Sequence, residues 1–185
     1  MKNVLFVISG PSGVGKGTIA KKLIERNKNY SLSISCTTRS PREGEMHARE
    51  YFFITHDEFK EKIENDGFLE YSNHFDNYYG TPKEFVLDKL KTNDVLLEID
   101  VNGGLNVKNS YKEAILIMIL PPSLEEVRRR LIKRGTESLE KIESRISRME
   151  FELQQRDKYD YCVVNDKLDV AVSEIESIVA TEKNK

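Results

Sequence analysis

A glycine-rich segment near the N-terminus constrains the fold of this chain more than any other feature. It spans residues 10–18, with the sequence GPSGVGKGT, and follows a continuous apolar run at residues 4–8. Such β-branched and apolar runs are typical of strands buried on both faces of a parallel sheet. After the segment, Ile19, Leu23 and Ile24 recur at helical spacing. The order of strand, glycine loop and helix, with the pattern G-x-x-x-x-G-K, predicts a phosphate-binding loop.

The residue types of this loop explain how it holds an anion. Glycines let the backbone curl so that successive N–H groups point at one anion, and the helix that follows adds the positive end of its dipole. Lys16 supplies a positive charge for the β- and γ-phosphates of a nucleotide. A dinucleotide-binding loop is a weaker alternative, because the spacing of Gly13 and Gly15 then requires glycine where Thr18 stands.

The loop departs from the usual pattern at one position. Gly17 follows the lysine directly, where Ser or Thr normally holds Mg²⁺, and the hydroxyl comes one residue later, at Thr18. We therefore expect Mg²⁺ to be held mostly by phosphates and water, with help from Thr18. Asp100 or Glu98, at the end of a neighbouring predicted strand, is expected to contribute a carboxylate.

The rest of the chain alternates apolar runs with helical patterns. Residues 95–99, 115–120 and 161–164 predict further strands, so the chain is expected to adopt an α/β fold with a parallel sheet. A stretch at about residues 33–81 interrupts this alternation and predicts an inserted lobe. Within it, residues 71–80 are aromatic and polar without a clear period. The expected core of the lobe is Phe52, Phe53, Phe59 and Phe68.

Composition narrows the possible partners. The 185 residues suggest one domain, and 29 Lys and Arg against 31 Asp and Glu give a net charge of −2. A near-neutral balance argues against broad electrostatic binding of nucleic acid. The N-terminal apolar run is too short to span a membrane, and Cys36 and Cys162 form no C-x-x-C pair, so we expect a cytoplasmic protein. His47, His56 and His74 are scattered, and we expect no metal site from them.

A basic loop follows a further predicted strand at residues 30–35. Arg39 and Arg42 lie close in sequence to Ser35 and Tyr51, and arginine forks with hydroxyl groups are typical of phosphate-binding sites. The alternative is that these arginines are simply solvated, and the loop alone does not decide between the two.

Eight sequence motifs, taken in order and spacing, resemble guanylate kinase. They are SGPSGVGKGT, SISCTTRSPREGE, EYFFITHDEF, NYYGTP, EIDVNG, PPSLEEVRRRL, RGTES and VVND, and together they cover essentially the whole chain. The resemblance implies transfer of the γ-phosphate of ATP to GMP with Mg²⁺, giving ADP and GDP. It also implies a P-loop kinase fold with a parallel-sheet core, an inserted GMP-binding lobe and a mobile lid. The corresponding ranges are a core at about 1–32, 82–123 and 148–185, a lobe at about 33–81 and a lid at about 124–147.

The resemblance also implies a role for each matched site residue. It assigns the GMP phosphate to Arg39, Arg42, Tyr51 and Tyr79, and the guanine base to Ser35, Glu70, Thr81 and Asp100. It assigns the ATP side to Gly10, Pro11, Ser12, Gly13, Val14, Gly15, Lys16, Gly17, Thr18, Arg130, Asn165 and Asp166. The residues expected to act on the transferred phosphate are Lys16, Arg134 and Arg145, and Gly135 is a candidate hinge.

Chemistry makes the assignment of Glu70 reasonable. Guanine presents two adjacent donors, N1–H and the 2-amino group, and one carboxylate accepts from both. Adenine places an acceptor at N1, which repels a carboxylate, so such a site rejects AMP strongly. Without the resemblance, Glu70 reads more simply as a surface carboxylate between a helix and a strand.

Two other functions remain open from the sequence. One is a nucleoside-monophosphate kinase with another acceptor, such as AMP or a pyrimidine nucleotide, since the Gly17-Thr18 ending of the loop resembles adenylate kinases. The other is a non-catalytic guanylate-kinase-like interaction module, although such modules tend to lose the phosphate-binding loop that this chain retains. The expected partners are ATP and GMP, with no nucleic acid or membrane, in a monomer or homodimer.

Overall fold

The computed structural model describes residues 2–74, 76–134 and 138–185, apart from the side chains of His74, Arg130 and Arg134. The strands are β1 (Leu5–Ser9), β2 (Tyr30–Leu32), β3 (Cys36–Thr37), β4 (Phe52–Phe53), β5 (Phe68–His74), β6 (Asn77–Pro82), β7 (Asp94–Glu98), β8 (Ile115–Leu120) and β9 (Tyr161–Val164). The helices are α1 (Lys16–Arg26), α2 (His56–Glu64), α3 (Lys83–Lys89), α4 (Val101–Ser110), α5 (Leu124–Arg134), α6 (Leu139–Leu153) and α7 (Leu168–Lys183).

Five parallel strands form the core of the protein, in the order β2-β7-β1-β8-β9. The central strand β1 is buried throughout, and its two faces pack into different clusters. Phe6 and Ile8 join residues of α1, α6 and α7, whereas Leu5 and Val7 join residues of α3 and α4. This two-sided burial is the reason for the continuous apolar run in the sequence. The predicted α/β fold with a parallel sheet is confirmed.

Residues between β2 and α3 form a second sheet with its own small core. Its strand order is β4-β3-β6-β5, with β5 and β6 paired as an antiparallel hairpin. Phe59 from α2 is fully buried at its centre, stacked on Phe68 at 4.4 Å and on Tyr78 at 5.1 Å between ring centroids. Cys36 lies in the same cluster, where burial raises the pKa of its thiol to about 11.

This region contains one segment that the sequence left without a predicted structure and one residue, Phe53, whose predicted place was wrong. Residues 71–80, which show no clear period, lie almost entirely within the hairpin β5–β6. Phe53 is not part of the small core: its ring lies 5.9 Å from that of Tyr51 and 5.8 Å from the guanidinium of Arg39, at the edge of the basic loop. Its backbone pairs with Thr37 in the sheet, so the alternation of strand side chains turns its ring away from its neighbour Phe52.

Strand direction places the functional segments at one edge of the main sheet. β1 and β7 are parallel neighbours with Ile8 opposite Glu98, so the glycine loop after β1 and Asp100 after β7 leave the sheet together. After β8, α5 and α6 pack against each other, joined by an ion pair of 2.9 Å between Arg128 and Glu143. Among the described residues, no helix is both long and apolar enough to cross a bilayer.

Candidate active site

The glycine loop between β1 and α1 is held in a tight curl. Gly10 has φ of 149°, and a Cβ there would lie 2.5 Å from the carbonyl oxygen of Ile119, so no larger residue fits. Gly15 has φ of 96° and is the N-cap residue of α1. Lys16 folds back over the loop, where its Nζ donates to the carbonyl oxygen of Gly10 at 2.6 Å and to that of Pro11 at 3.2 Å. The ammonium group therefore covers the concave side of the loop.

The charge of Lys16 is set by opposing effects. Burial lowers the pKa of Lys16, while the carboxylates of Glu98 and Asp100 oppose that change. Burial in the same cleft raises the pKa of Glu98, and the charge of Lys16 opposes it. For both groups desolvation is the larger effect, so the cleft favours a further anion beside Lys16 and a further cation beside Glu98. A metal–nucleotide complex supplies both.

Glu98 lies directly over the position that distinguishes this loop. A Cβ on Gly17 would be 3.4 Å from Oε1 of Glu98 and 3.6 Å from Oε2. The carboxylate thus reaches the space that a Ser or Thr side chain at position 17 would enter. Over the described residues, no group of three or more His, Cys, Asp or Glu side chains is placed to hold a metal ion.

Asn165 and Arg145 contact the loop from the other side. Asn165 follows β9, and its Nδ2 donates to the carbonyl oxygen of Val14 at 2.8 Å. A Cβ on Gly15 would lie 2.5 Å from that Nδ2, so the support requires glycine there. The Arg145 guanidinium lies 3.6 Å from the Cβ position of Gly13. It lines two cavities of about 190 and about 350 Å³ beside the loop. The support from Asn165 is a role that the sequence did not reveal.

Glu70 and Asp100 meet beside the first turn of α4. Thr81 is fully buried on β6 and its Oγ1 donates to Oε1 of Glu70 at 2.6 Å. Asp100 is the N-cap residue of α4 and accepts from the N–H of Gly103 at 2.7 Å. Burial raises the pKa of Glu70, the bond from Thr81 lowers it, and the charge of Asp100 raises it further. Two carboxylates thus share a partly buried site, where hydrogen bonds from the hydroxyl and backbone of Thr81 hold Glu70 and the backbone amide of Gly103 holds Asp100.

The basic loop is organised around Arg39. Its guanidinium forms an ion pair with Glu45 at 3.0 Å, donates to the carbonyl oxygen of Ser40 at 2.7 Å and lies 5.5 Å from the ring of Tyr51. Glu45 and Tyr79 both raise the pKa of Arg39 through hydrogen bonds, so it stays a cation. Glu45 also accepts from the backbone N–H of Arg42 at 2.8 Å, which fixes the loop. Glu45 was not among the residues predicted from the sequence, although an acid three residues after Arg42 in a basic loop was a signal for it.

The sequence-assigned residues fall into three groups and a remainder. Lys16 and Asn165 lie at the glycine loop with Arg145, and Glu70 and Thr81 lie with Asp100 beside α4. Arg39, Tyr51 and Tyr79 lie together, with the Tyr51 and Tyr79 rings 6.2 Å apart. Ser35 is half-buried just before β3, and Arg42, Thr18 and Asp166 are exposed. The side chains of Arg130 and Arg134, and the candidate hinge Gly135, lie outside the described residues.

Comparison with known proteins identifies the family. A family model described as guanylate kinase matches residues 2–182. The chain is 54% identical over 183 residues to the guanylate kinase of Caldanaerobacter subterraneus subsp. tengcongensis, covering 98% of this chain and 89% of that protein. It is 52% identical to the guanylate kinase of Clostridium tetani, covering 98% of this chain and 88% of that protein.

A solved structure gives the same result. The crystal structure of guanylate kinase from Anaplasma phagocytophilum aligns with a TM-score of 0.78 at 31% identity, covering 100% of this chain and 88% of that one. The phosphate-binding loop, the parallel core and these relatives point the same way: the chain belongs to the guanylate kinase family.

Proposed function

We propose that this protein transfers the γ-phosphate of ATP to GMP, giving ADP and GDP. The observation that carries the proposal is that two sites lie next to each other at one edge of the main sheet. The phosphate loop leaves β1 after Ser9, the carboxylate pair of Glu70 and Asp100 lies beside the neighbouring strand, and the Ser9 hydroxyl donates to the backbone carbonyl of Asp100 at 3.1 Å. A triphosphate and a purine base are thus bound within reach of each other.

The carboxylate pair supports guanine as the acceptor base. Ionised carboxylates accept hydrogen bonds and do not donate them, so Glu70 and Asp100 suit the N1–H and 2-amino donors of guanine. The N1 acceptor of adenine faces the same oxygens unfavourably. Ser35 and Thr81 are proposed to complete the base site, and Arg39, Arg42, Tyr51 and Tyr79 the site for the GMP phosphate.

Catalysis in this proposal is positioning and electrostatic stabilisation. The acceptor phosphate is already an anion, so the reaction requires no general base. Negative charge spreads over three equatorial oxygens of the transferred group, and Lys16, Arg134 and Arg145 are proposed to stabilise it. The loop N–H groups from Gly10 to Thr18 hold the donor phosphates, with Arg130, Asn165 and Asp166 on the nucleotide side.

The oxygen ligands at the strand ends fit a magnesium ion. Carboxylates, hydroxyls and water are the ligands that Mg²⁺ prefers, and Mg²⁺ keeps several waters rather than a complete protein cage. Glu98, Asp100 and Thr18 are proposed to hold it, with Glu98 in the space that Gly17 leaves open. When bound, the ion neutralises charge on the β- and γ-phosphates.

Closure of the site is part of the proposal. The cations must converge only when both substrates are bound, because otherwise water accepts the phosphate. We propose a lid at about residues 124–147 and an acceptor lobe at about 33–81, which carries the second sheet. Solution scattering with a two-substrate analogue should show compaction, and an unchanged radius of gyration contradicts this part.

One assay tests the function directly. ADP formation from ATP is measured in parallel with GMP, AMP, dTMP and UMP, and we expect turnover with GMP to exceed the others by orders of magnitude. Lys16→Ala should abolish it, while Lys21→Ala, exposed on the same helix, should not. Faster turnover with AMP points to another kinase, and no turnover with any acceptor points to a non-catalytic module. Either result rejects the proposal. We further propose a cytoplasmic monomer or homodimer.

A further inference from the structure

Helix α4 carries two adjacent glycines in its first turns. Gly103 and Gly104 lie inside the helix Val101–Ser110, where each glycine costs roughly 1 kcal/mol of helix propensity relative to alanine. Neither has a positive φ, so neither is required by an unusual backbone. The reason must be what a Cβ at each position would meet.

Packing against the core explains Gly104. A Cβ there would lie 2.5 Å from the hydroxyl of Tyr159 and 2.7 Å from that of Ser9. Both hydroxyls belong to a buried cluster in which Tyr159 donates to the carbonyl oxygen of Val101 at 2.9 Å. This glycine therefore lets the helix approach β1, and the three atoms nearest to its Cβ position belong to Tyr159 and Ser9 rather than to the two carboxylates.

Gly103 faces the carboxylate pair instead. A Cβ there would lie 3.3 Å from Oδ1 of Asp100, 3.3 Å from Oε2 of Glu70 and 3.4 Å from Cδ1 of Ile99. Its backbone N–H donates to the same Oδ1 of Asp100 at 2.7 Å. Gly103 thus holds one carboxylate with its amide and leaves room for the other by having no side chain.

We propose that Gly103 is a specificity-determining positioning residue, which sets the positions of the Glu70 and Asp100 carboxylates so that both read guanine. This inference rests on the proposed function. An added methyl group must move at least one of the two carboxylates, because all three neighbours are already at or inside ordinary contact distance. Oε1 of Glu70 is anchored by Thr81, so the strain falls on Oε2 and on Asp100.

We expect the effect of an added side chain at Gly103 to depend on the base of the acceptor nucleotide. GMP and IMP differ only in the 2-amino group, a donor that IMP lacks, so displaced carboxylates penalise GMP more than IMP. We expect Gly103→Ala to lower kcat/KM for GMP by about tenfold or more, as for loss of one hydrogen bond to a charged group. The ratio of kcat/KM for GMP to that for IMP falls, and the KM for ATP stays unchanged.

The matched control is Asn106→Ala, which adds alanine at an exposed position of the same helix. It should leave kcat/KM for GMP, the ratio of kcat/KM for GMP to that for IMP, and the KM for ATP at the wild-type values. A double-mutant cycle with Glu70→Gln gives a second readout, because the effects of the two changes on the ratio should be less than additive if they act on one contact. If Gly103→Ala yields little folded protein, the ratio is measured in an Ile99→Val background, which removes the crowding Cδ1 atom.

The outcomes separate this inference from the proposed function. If the wild-type protein does not phosphorylate GMP, the proposed function is wrong. If it does, and Gly103→Ala lowers kcat/KM for GMP and IMP by the same factor, or changes neither, Gly103 does not position the carboxylates. A rise in the KM for ATP that matches the loss for GMP also overturns the inference, since it indicates a general distortion of α4.

Discussion

The hydrogen bond from Thr81 to Glu70 should control how binding of GMP depends on pH. Thr81 is fully buried, and its hydroxyl donates to the Glu70 carboxylate at 2.6 Å. Thr81→Val keeps the shape of the side chain and removes the donor. Burial and the charge of Asp100 raise the pKa of Glu70, and the hydroxyl and backbone of Thr81 lower it, with the hydroxyl having the larger effect. The substitution therefore raises the pKa of Glu70 further.

The direction and size of the effect follow from linkage. Guanine needs the ionised carboxylate, so affinity for GMP is lost as the pH falls through the pKa of Glu70, and the variant loses it at a higher pH than the wild type. Above both pKa values the ratio of their GMP dissociation constants is constant and reflects only the direct contact of Thr81 with the base. Below both, this ratio rises further by the strength of the lost bond to Glu70. A hydrogen bond to a charged group contributes about 1.5–3 kcal/mol, which corresponds to a rise of about 10- to 150-fold.

Titration of GMP affinity against pH measures this ratio. The phosphate of GMP ionises in the same range, with a second pKa of about 6, but it is common to both proteins and cancels in the ratio. Glu70→Gln provides the reference, because its affinity should be weak and should not show the Glu70 step. A ratio of variant to wild type that stays constant from neutral to acid pH refutes the reasoning, since the Thr81 bond would then not act through ionisation of Glu70.

Three further substitutions test other parts of the site. Arg145→Ala should lower kcat far more than it raises the KM for GMP, as steady-state kinetics will show, because its guanidinium lies beside the phosphate loop. Phe59→Ala should destabilise the second sheet by about 3–5 kcal/mol and speed hydrogen exchange in α2, while calorimetry should still detect ATP binding. Tyr159→Phe should lower the free energy of unfolding in urea by about 0.5–1.5 kcal/mol, because the hydrogen bond to Val101 is lost.

The sequence predicted the core well because its signals there are local. A continuous apolar run produced β1, and similar runs produced β7 and β8, since the central residues of strands buried on both faces are apolar. The edge strand β9 was predicted from its short apolar run, although only Val163 of its four residues is buried. The glycine loop was found for a similar reason. Its tight turns, including the close approach of Gly10 to Ile119, require glycine at fixed positions, and those glycines are visible in the sequence.

The hairpin β5–β6 was missed because its signals are not local. Tyr71, Tyr78 and Tyr79 place aromatic rings on both faces of the hairpin, so no period of two appears. Its turn also has no glycine in the sequence, and Asp76 there has a positive φ of 64°. The C-terminal end of α2 has the same feature, because Asp66 rather than the neighbouring Gly67 adopts the left-handed conformation.

Contacts between distant parts of the chain that hold the site in place could not be predicted from the sequence either. Asn165 is 151 residues from its partner Val14, and nothing in either segment signals that they meet. The roles of Gly103 and Gly104 were likewise hidden, since a glycine pair in a helix shows that something is close but not what. Only the positions of Glu70 and Tyr159, which come from distant parts of the chain, explain them.

A buried polar cluster ties the two halves of the site to each other and limits how the protein can move. Ser9, the last residue of β1, donates to the carbonyl oxygen of Asp100, and Tyr159 donates to that of Val101. Burial raises the pKa of Tyr159 to about 12, so the hydroxyl keeps its proton and the bond persists across the physiological range. The start of the phosphate loop is therefore tied directly to the backbone beside Asp100. Under the proposed closure, we expect these two segments to stay together and the motion to come from segments outside the cluster, such as the basic loop around Arg39. Under the proposed base site, guanine then binds at Glu70 and Asp100, beside the part of the site that is already held in place.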